Sequence, residues 1–65
     1  MKVRYFPDTD TLLVDFSDRK VACTQDLGEN VLVEMDEEGR LVSMTVEHAK
    51  QQMNVTEFSY QLAAG

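Results

Sequence analysis

Lys2-Val3-Arg4-Tyr5-Phe6-Pro7-Asp8-Thr9-Asp10-Thr11-Leu12-Leu13-Val14-Asp15-Phe16 decides the fold class. Val3 and Tyr5 alternate with Lys2 and Arg4, and Leu12, Val14 and Phe16 alternate with Leu13 and Asp15, the period of a strand with one buried face. Between the two runs stands Pro7-Asp8-Thr9-Asp10. Pro fixes φ, and Asp side chains bond nearby backbone N–H groups, so this stretch reads as a turn. With Asp8-Thr9 as a two-residue turn, Tyr5 faces Leu12, Val3 faces Val14 and Lys2 faces Asp15. Apolar then meets apolar on one side and opposite charges meet on the other.

The same spacing recurs downstream. Val31, Val33 and Met35 alternate with Leu32 and Glu34; Val42, Met44 and Val46 alternate with Ser43 and Thr45; Phe58, Tyr60 and Leu62 alternate with Ser59 and Gln61. Val21 to Gln25 is a weaker sixth candidate, with Val21 and Cys23 inward. Ser17-Asp18-Arg19-Lys20 and Asp26-Leu27-Gly28-Glu29-Asn30 read as polar connections. Asp36-Glu37-Glu38-Gly39-Arg40 reads as a hairpin loop in which Gly39 is free to take φ > 0. Only Glu47 to Met53 is rich in straight-chain helix formers, and Asn54 suits its end. The expected fold is α+β: an antiparallel β-meander of five to six strands with one short helix near residues 47–53.

The chain has 65 residues, 12 acidic against 6 basic side chains, one His, one Cys and a formal net charge of −6. That length holds one domain, residues 1–65, with 55–65 as a C-terminal strand or tail. An acidic surface repels phosphate, which argues against a nucleic-acid partner and would steer a basic protein inward. A single Cys forms no internal disulfide, and one Cys with one His cannot furnish a structural zinc shell. No apolar h-region follows Met1-Lys2-Val3-Arg4, and no apolar run approaches the roughly 18 residues of a membrane span. A cytoplasmic protein without membrane contact is the expectation.

Coverage sets the next expectation. Five strands about 4.8 Å apart make a sheet roughly 20–24 Å wide, whereas a seven-residue helix is only about 10 Å long. One such helix leaves much of the apolar face bare, unless strong twist curls the sheet onto itself. A bare face of that size exceeds what soluble monomers usually expose. Burial against a second copy, as a homodimer or higher homo-oligomer, follows as an expectation.

Few residues suggest chemistry. Asp8, Asp10 and Asp15 fail the calcium-loop pattern, because Leu12 stands where a third ligand belongs, and they read as turn formers and a cross-strand charge. Asp36, Glu37 and Glu38 form an acidic tip whose side chains diverge, so they read as a docking surface for a basic partner rather than as a cation site. His48 beside Glu47 reads as a surface residue at the helix start; only the fold could bring Cys23 to it. Phe58 and Tyr60 join the candidate partner surface, because their segment could add a strand to this sheet or to a partner's. Gly28, Gly39 and Gly65 are isolated, so no phosphate loop is present. No catalytic, cofactor-binding or metal-ligating set emerges, and the chain is not expected to be an enzyme.

The run Arg4 to Ser17 resembles the opening of the small prokaryotic proteins grouped as the domain-of-unknown-function family numbered 2283. Asp36-Glu37-Glu38-Gly39-Arg40-Leu41-Val42 followed by Glu47-His48-Ala49 is similar to that family's second half, so the resemblance spans roughly residues 1–54. It implies a compact β-meander plus helix and brings no established activity or site residues. Such proteins are sometimes suspected of being the antitoxin half of a two-gene pair. Two functions are therefore carried forward: an acidic protein-interaction module, antitoxin-like in its most specific form, and a small-ligand or metal-binding domain. The second would have its pocket between sheet and helix, with Asp8, Asp10 or His48 at the mouth.

Overall fold

A computed structural model describes residues 1–64, with Gly65 outside the described residues. Five strands, β1 (Lys2–Phe6), β2 (Thr11–Asp15), β3 (Cys23–Asp26), β4 (Val31–Met35) and β5 (Leu41–Glu47), are followed by one turn of helix, α1 (Ala49–Gln52). They form a single antiparallel sheet in the order β1-β2-β5-β4-β3. The sheet is open, with β1 and β3 as its edges, and does not close into a barrel.

The first hairpin has the expected register: Tyr5 opposes Leu12, Val3 opposes Val14 and Lys2 opposes Asp15. Its turn is wider than two residues. Phe6 and Thr11 still pair, so Pro7 to Asp10 form a four-residue turn, closed by Asp10 at φ 54°. Asp is among the few residue types that take this left-handed region without large cost. The β4–β5 hairpin closes around Gly39 at φ 79°, as its sequence suggests.

Strand order departs from a simple meander. β2 pairs with β5, not with β3, and residues 16–22 carry the chain across to the far edge. The distribution of apolar residues accounts for this. β2 carries Leu12, Leu13 and Val14 on both of its faces, and β5 is the longest strand, so both belong in the interior of the sheet. β3, Cys-Thr-Gln-Asp, is exposed throughout and tolerates an edge. The weaker candidate at Val21–Gln25 is thus the fifth strand, shifted to Cys23–Asp26, whereas residues 58–62 form no strand. Cys23 shares the face of Met35 but stands on the outer edge and is exposed, contrary to the inward, buried position expected of it.

The register aligns two apolar rows on one face. Val3, Val14, Met44 and Val33 cross the sheet side by side, and beside them run Tyr5, Leu12, Val46 and Val31. The other face carries Lys2, Arg4, Asp15, Ser43, Thr45, Glu34 and Asp26 around Leu13 and Leu32. Among the described residues the buried apolar core is Val14, Val33, Val42, Val46 and Ala49, none larger than valine.

The helix is shorter than the seven residues expected at 47–53. Glu47 still pairs in β5, and His48 at φ 54° turns the chain before α1 begins. Ala49 is fully buried there. Replacing Ala49 with Leu would force extra methylenes into a filled space, at a cost of about 1–3 kcal/mol. A thermal melt of Ala49→Leu should fall by several degrees relative to the parent chain, whereas Ala49→Gly should lose the turn of helix itself.

Candidate functional site

Carboxylates tie down both ends of the sheet. At one end Asp10 occupies the β1–β2 turn. Its carboxylate accepts the Tyr5 hydroxyl at 2.6 Å and the Lys50 backbone N–H at 3.2 Å, and its carbonyl accepts the Ala49 N–H at 3.0 Å. Helix starts leave backbone N–H groups without partners; here a residue of another element supplies them, because no side chain caps α1 locally. Beside this corner the Glu47 N–H donates to the Asn30 carbonyl at 2.7 Å, and His48 Nδ1 is hydrogen-bonded to Asn30 Oδ1 at 2.9 Å. The Asp10 contact pushes the Tyr5 phenol up to about 12, chiefly because the hydroxyl donates to a carboxylate. Asp10 is held below the usual carboxylate value, first by the Tyr5 hydroxyl and then by the Lys50 N–H.

At the other end stands Asp36, buried at 8% exposure. Its Oδ1 accepts the Glu38 and Arg40 N–H groups, both at 2.9 Å, and its Oδ2 meets Arg40 Nε and Arg19 Nε, both at 2.9 Å. Arg19 belongs to the crossover, whose Phe16 N–H also donates to the Val42 carbonyl and whose Ala22 N–H donates to that of Met35. One carboxylate thus closes the β4–β5 loop and fastens the segment that carries β3 to its edge. Asp36 is held below the usual carboxylate value, first by the Arg40 backbone N–H.

This geometry sorts the candidates. Asp36 faces inward, with both oxygens committed, whereas Glu37 and Glu38 are exposed at the loop. Arg19, Lys20 and Arg40 line the same groove of about 440 Å³, so the tip is close to charge-balanced rather than strongly acidic. Asp15 opposes Lys2 in register, but its ion pair is with Arg4, at 3.0 Å. Asp8 is exposed in the turn. His48 is an exposed residue at the helix start. Cys23 pairs with Met35, at the Asp36 end of the sheet, and therefore lies at the opposite end from His48. Among the described residues no group of three or more His, Cys, Asp or Glu side chains is placed to hold a metal ion. Among the described residues no helix is long and apolar enough to cross a membrane.

Phe58 and Tyr60 are exposed at 62% and 68%. Their segment follows α1 back over β1 and β2, forming a cleft of about 300 Å³ in which Val3, Tyr5 and Leu12 face Met53, Val55 and Phe58. Sequence reading overlooked Tyr5 and Arg19. The signal for Tyr5 was an inward aromatic beside an Asp-rich turn, since a phenol half-buried on a sheet face usually finds a partner for its hydroxyl. Arg19 was a cation in a connection that, in a meander, would have had nothing to hold.

A family model described as "Protein of unknown function (DUF2283)" matches residues 2–50. The chain belongs to that family. The match takes in all five strands of the DUF2283 domain and the start of α1, and the tail lies outside it. No curated protein and no solved structure matches the chain.

The two carboxylates and the phenol give opposite pH dependences. Asp10 and Asp36 have folded values below the ordinary 3.8, so their stabilisation is complete above it and is lost as pH falls through the depressed values. Tyr5 is raised from 10.0 to about 12, so its contribution is complete below pH 10 and is lost between there and about pH 12. Urea titrations across pH should show both losses. Tyr5→Phe should flatten the alkaline limb and, because its hydroxyl also holds Asp10 down, part of the acid limb, whereas Asp36→Asn should flatten part of the acid limb only.

Proposed function

We propose that this DUF2283 chain is a non-enzymatic protein-interaction module that self-associates through the apolar face of its sheet and offers an acidic surface to a basic protein. The observation that carries the reading is surplus surface. A compact folded monomer of this mass, 7.4 kDa, exposes about 4,200 Å². This chain exposes 5145 Å². Its radius of gyration is 12.8 Å, against about 10.7 Å for a compact domain of its length. The difference in surface, about 900 Å², is close to the roughly 800 Å² that each partner contributes to a standard interface.

The basic-partner half of the reading is supported by the net charge of −6 and by where the charge lies. Asp26, Glu34 and Glu47 share the polar face at its β3–β4–β5 side, away from Lys2 and Arg4 on β1. Such a field speeds encounter with a positively charged protein and weakens with salt. The antitoxin-like role is this reading in its most specific form, with a basic toxin as the protein bound. A second reading, a small-ligand site, is favoured by the cleft between Val3, Tyr5, Leu12 and the tail, whose size stands at the low end for ligand pockets.

Sedimentation velocity across the micromolar range tests the first reading. The parent chain should sediment as a dimer at high concentration and dissociate on dilution. Met44→Glu, which places a charge in the middle of an apolar row, should weaken association at least tenfold without unfolding the monomer. A parent chain that is monomeric throughout, together with a thermal shift on addition of an apolar metabolite panel, would favour the second reading instead.

A further inference from the structure

We propose that residues 55–62 are an exchanged arm: Phe58, Tyr60 and Leu62 of one copy pack against the β4–β5 side of the apolar face of a second copy. The proposal rests on the self-association reading and adds to it the segment that makes the contact and the half of the face that receives it.

From Phe58 to Leu62 the arm carries large apolar side chains at every second position, the spacing of a strand with one apolar side. Yet it forms no strand with its own sheet. Within its own chain it lies along the β1 edge, where Phe58 and Tyr60 border a shallow hollow with Met1 and Val3. Exposure rises along it, from 62% at Phe58 through 68% at Tyr60 to 84% at Leu62. Three apolar side chains thus leave the sheet progressively: Phe58 still borders the cleft over Val3, Tyr5 and Leu12, whereas Leu62 at the far end is almost wholly in solvent.

The receiving surface is the half of the face that the arm does not cross. The cleft under the arm is lined on the sheet by Val3, Tyr5 and Leu12, all on β1 and β2. Val31, Met35 and Met44, on β4 and β5, are partly exposed. Each copy therefore has one surplus arm and one uncovered half-face. A two-fold arrangement satisfies both at once, because whatever one copy gives the other receives in the same geometry. Reach permits it: eight extended residues span about 26 Å, and five strands span about 19 Å between their outer axes. The area permits it too, since the surplus of about 900 Å² is what a second copy of this size would remove from water. An unrelated partner would have to bring both a groove for the arm and a cover for the face.

Two measurements on the full-length chain test the arm. The first compares the parent with a Phe58→Ser, Tyr60→Ser, Leu62→Ser variant by sedimentation velocity; these positions are exposed in the single chain, so the monomer should fold unchanged by circular dichroism. The variant should dimerise at least tenfold more weakly. The second uses a Cys23→Ser background and mixes a Leu62→Cys chain with a Met35→Cys chain under mild oxidation. A cross-linked heterodimer should form faster than when Leu62→Cys is mixed with an Asp8→Cys control. Unchanged dimer affinity in the serine variant, or equal cross-linking to both positions, would overturn the exchanged arm while leaving self-association standing. A parent chain that never dimerises would remove both.

Discussion

A five-stranded sheet needs a cover, and this chain supplies one turn of helix. Four residues of α-helix span about 6 Å, set against strand axes spread over about 19 Å. Two apolar rows run across the sheet, yet among the described apolar residues only valines and Ala49, the first residue of the helix, are buried. The larger side chains, Leu12, Met44 and Tyr5 among them, stay partly exposed. A small domain starts with little stability to spare, because it buries a smaller share of its unfolded surface than a large one does. Leaving half of its best apolar face in water lowers that margin further. In the proposed reading, a surface from another chain resolves the mismatch, and the same constraint makes the face a binding surface.

The polar groups serve the fold. Asp10 gathers Tyr5, Ala49 and Lys50 at one end of the sheet; Asp36 gathers Arg19 and the backbone of its own loop at the other. Each carboxylate fastens a segment distant in sequence: α1 onto the first hairpin in one case, the crossover onto the last hairpin in the other. These two fastenings supplement the β2–β5 ladder, the join between the hairpin β1–β2 and the unit β3–β4–β5 on which the strand order depends. Carboxylates used in this way are already neutralised or hydrogen-bonded, which is why their protons come off at lower pH and why they offer little to a substrate.

Much of this was legible in the residues. Alternation gave four of the five strands, the Pro-Asp turn gave the register of the first hairpin, and Gly39 gave the second turn. Strand order was not legible, because alternation records which face a residue takes and not which strand stands beside it. Apolar residues on both faces of β2 were the available clue. The tail misled for a related reason: Phe58, Tyr60 and Leu62 have the spacing of a strand, but a strand exists only where its backbone is paired, and these residues do not pair with the free β1 edge. Asp36 was read by its charge as part of an outward tip, whereas its short side chain, three residues before Gly39, is suited to turn back and bond the loop. Glu37 and Glu38, which lack that role, stay exposed as expected of the tip.

The central claim is that the folded chain is completed by another copy of itself, so its stability should depend on how much protein is present. The midpoint of thermal unfolding, followed by circular dichroism over a hundredfold range of concentration, tests this directly. Linkage between folding and association requires the midpoint to climb steadily with concentration. A midpoint that stays constant across the whole range, with a sharp cooperative transition at the lowest concentration, would show that the open sheet is sufficient by itself and would contradict the account.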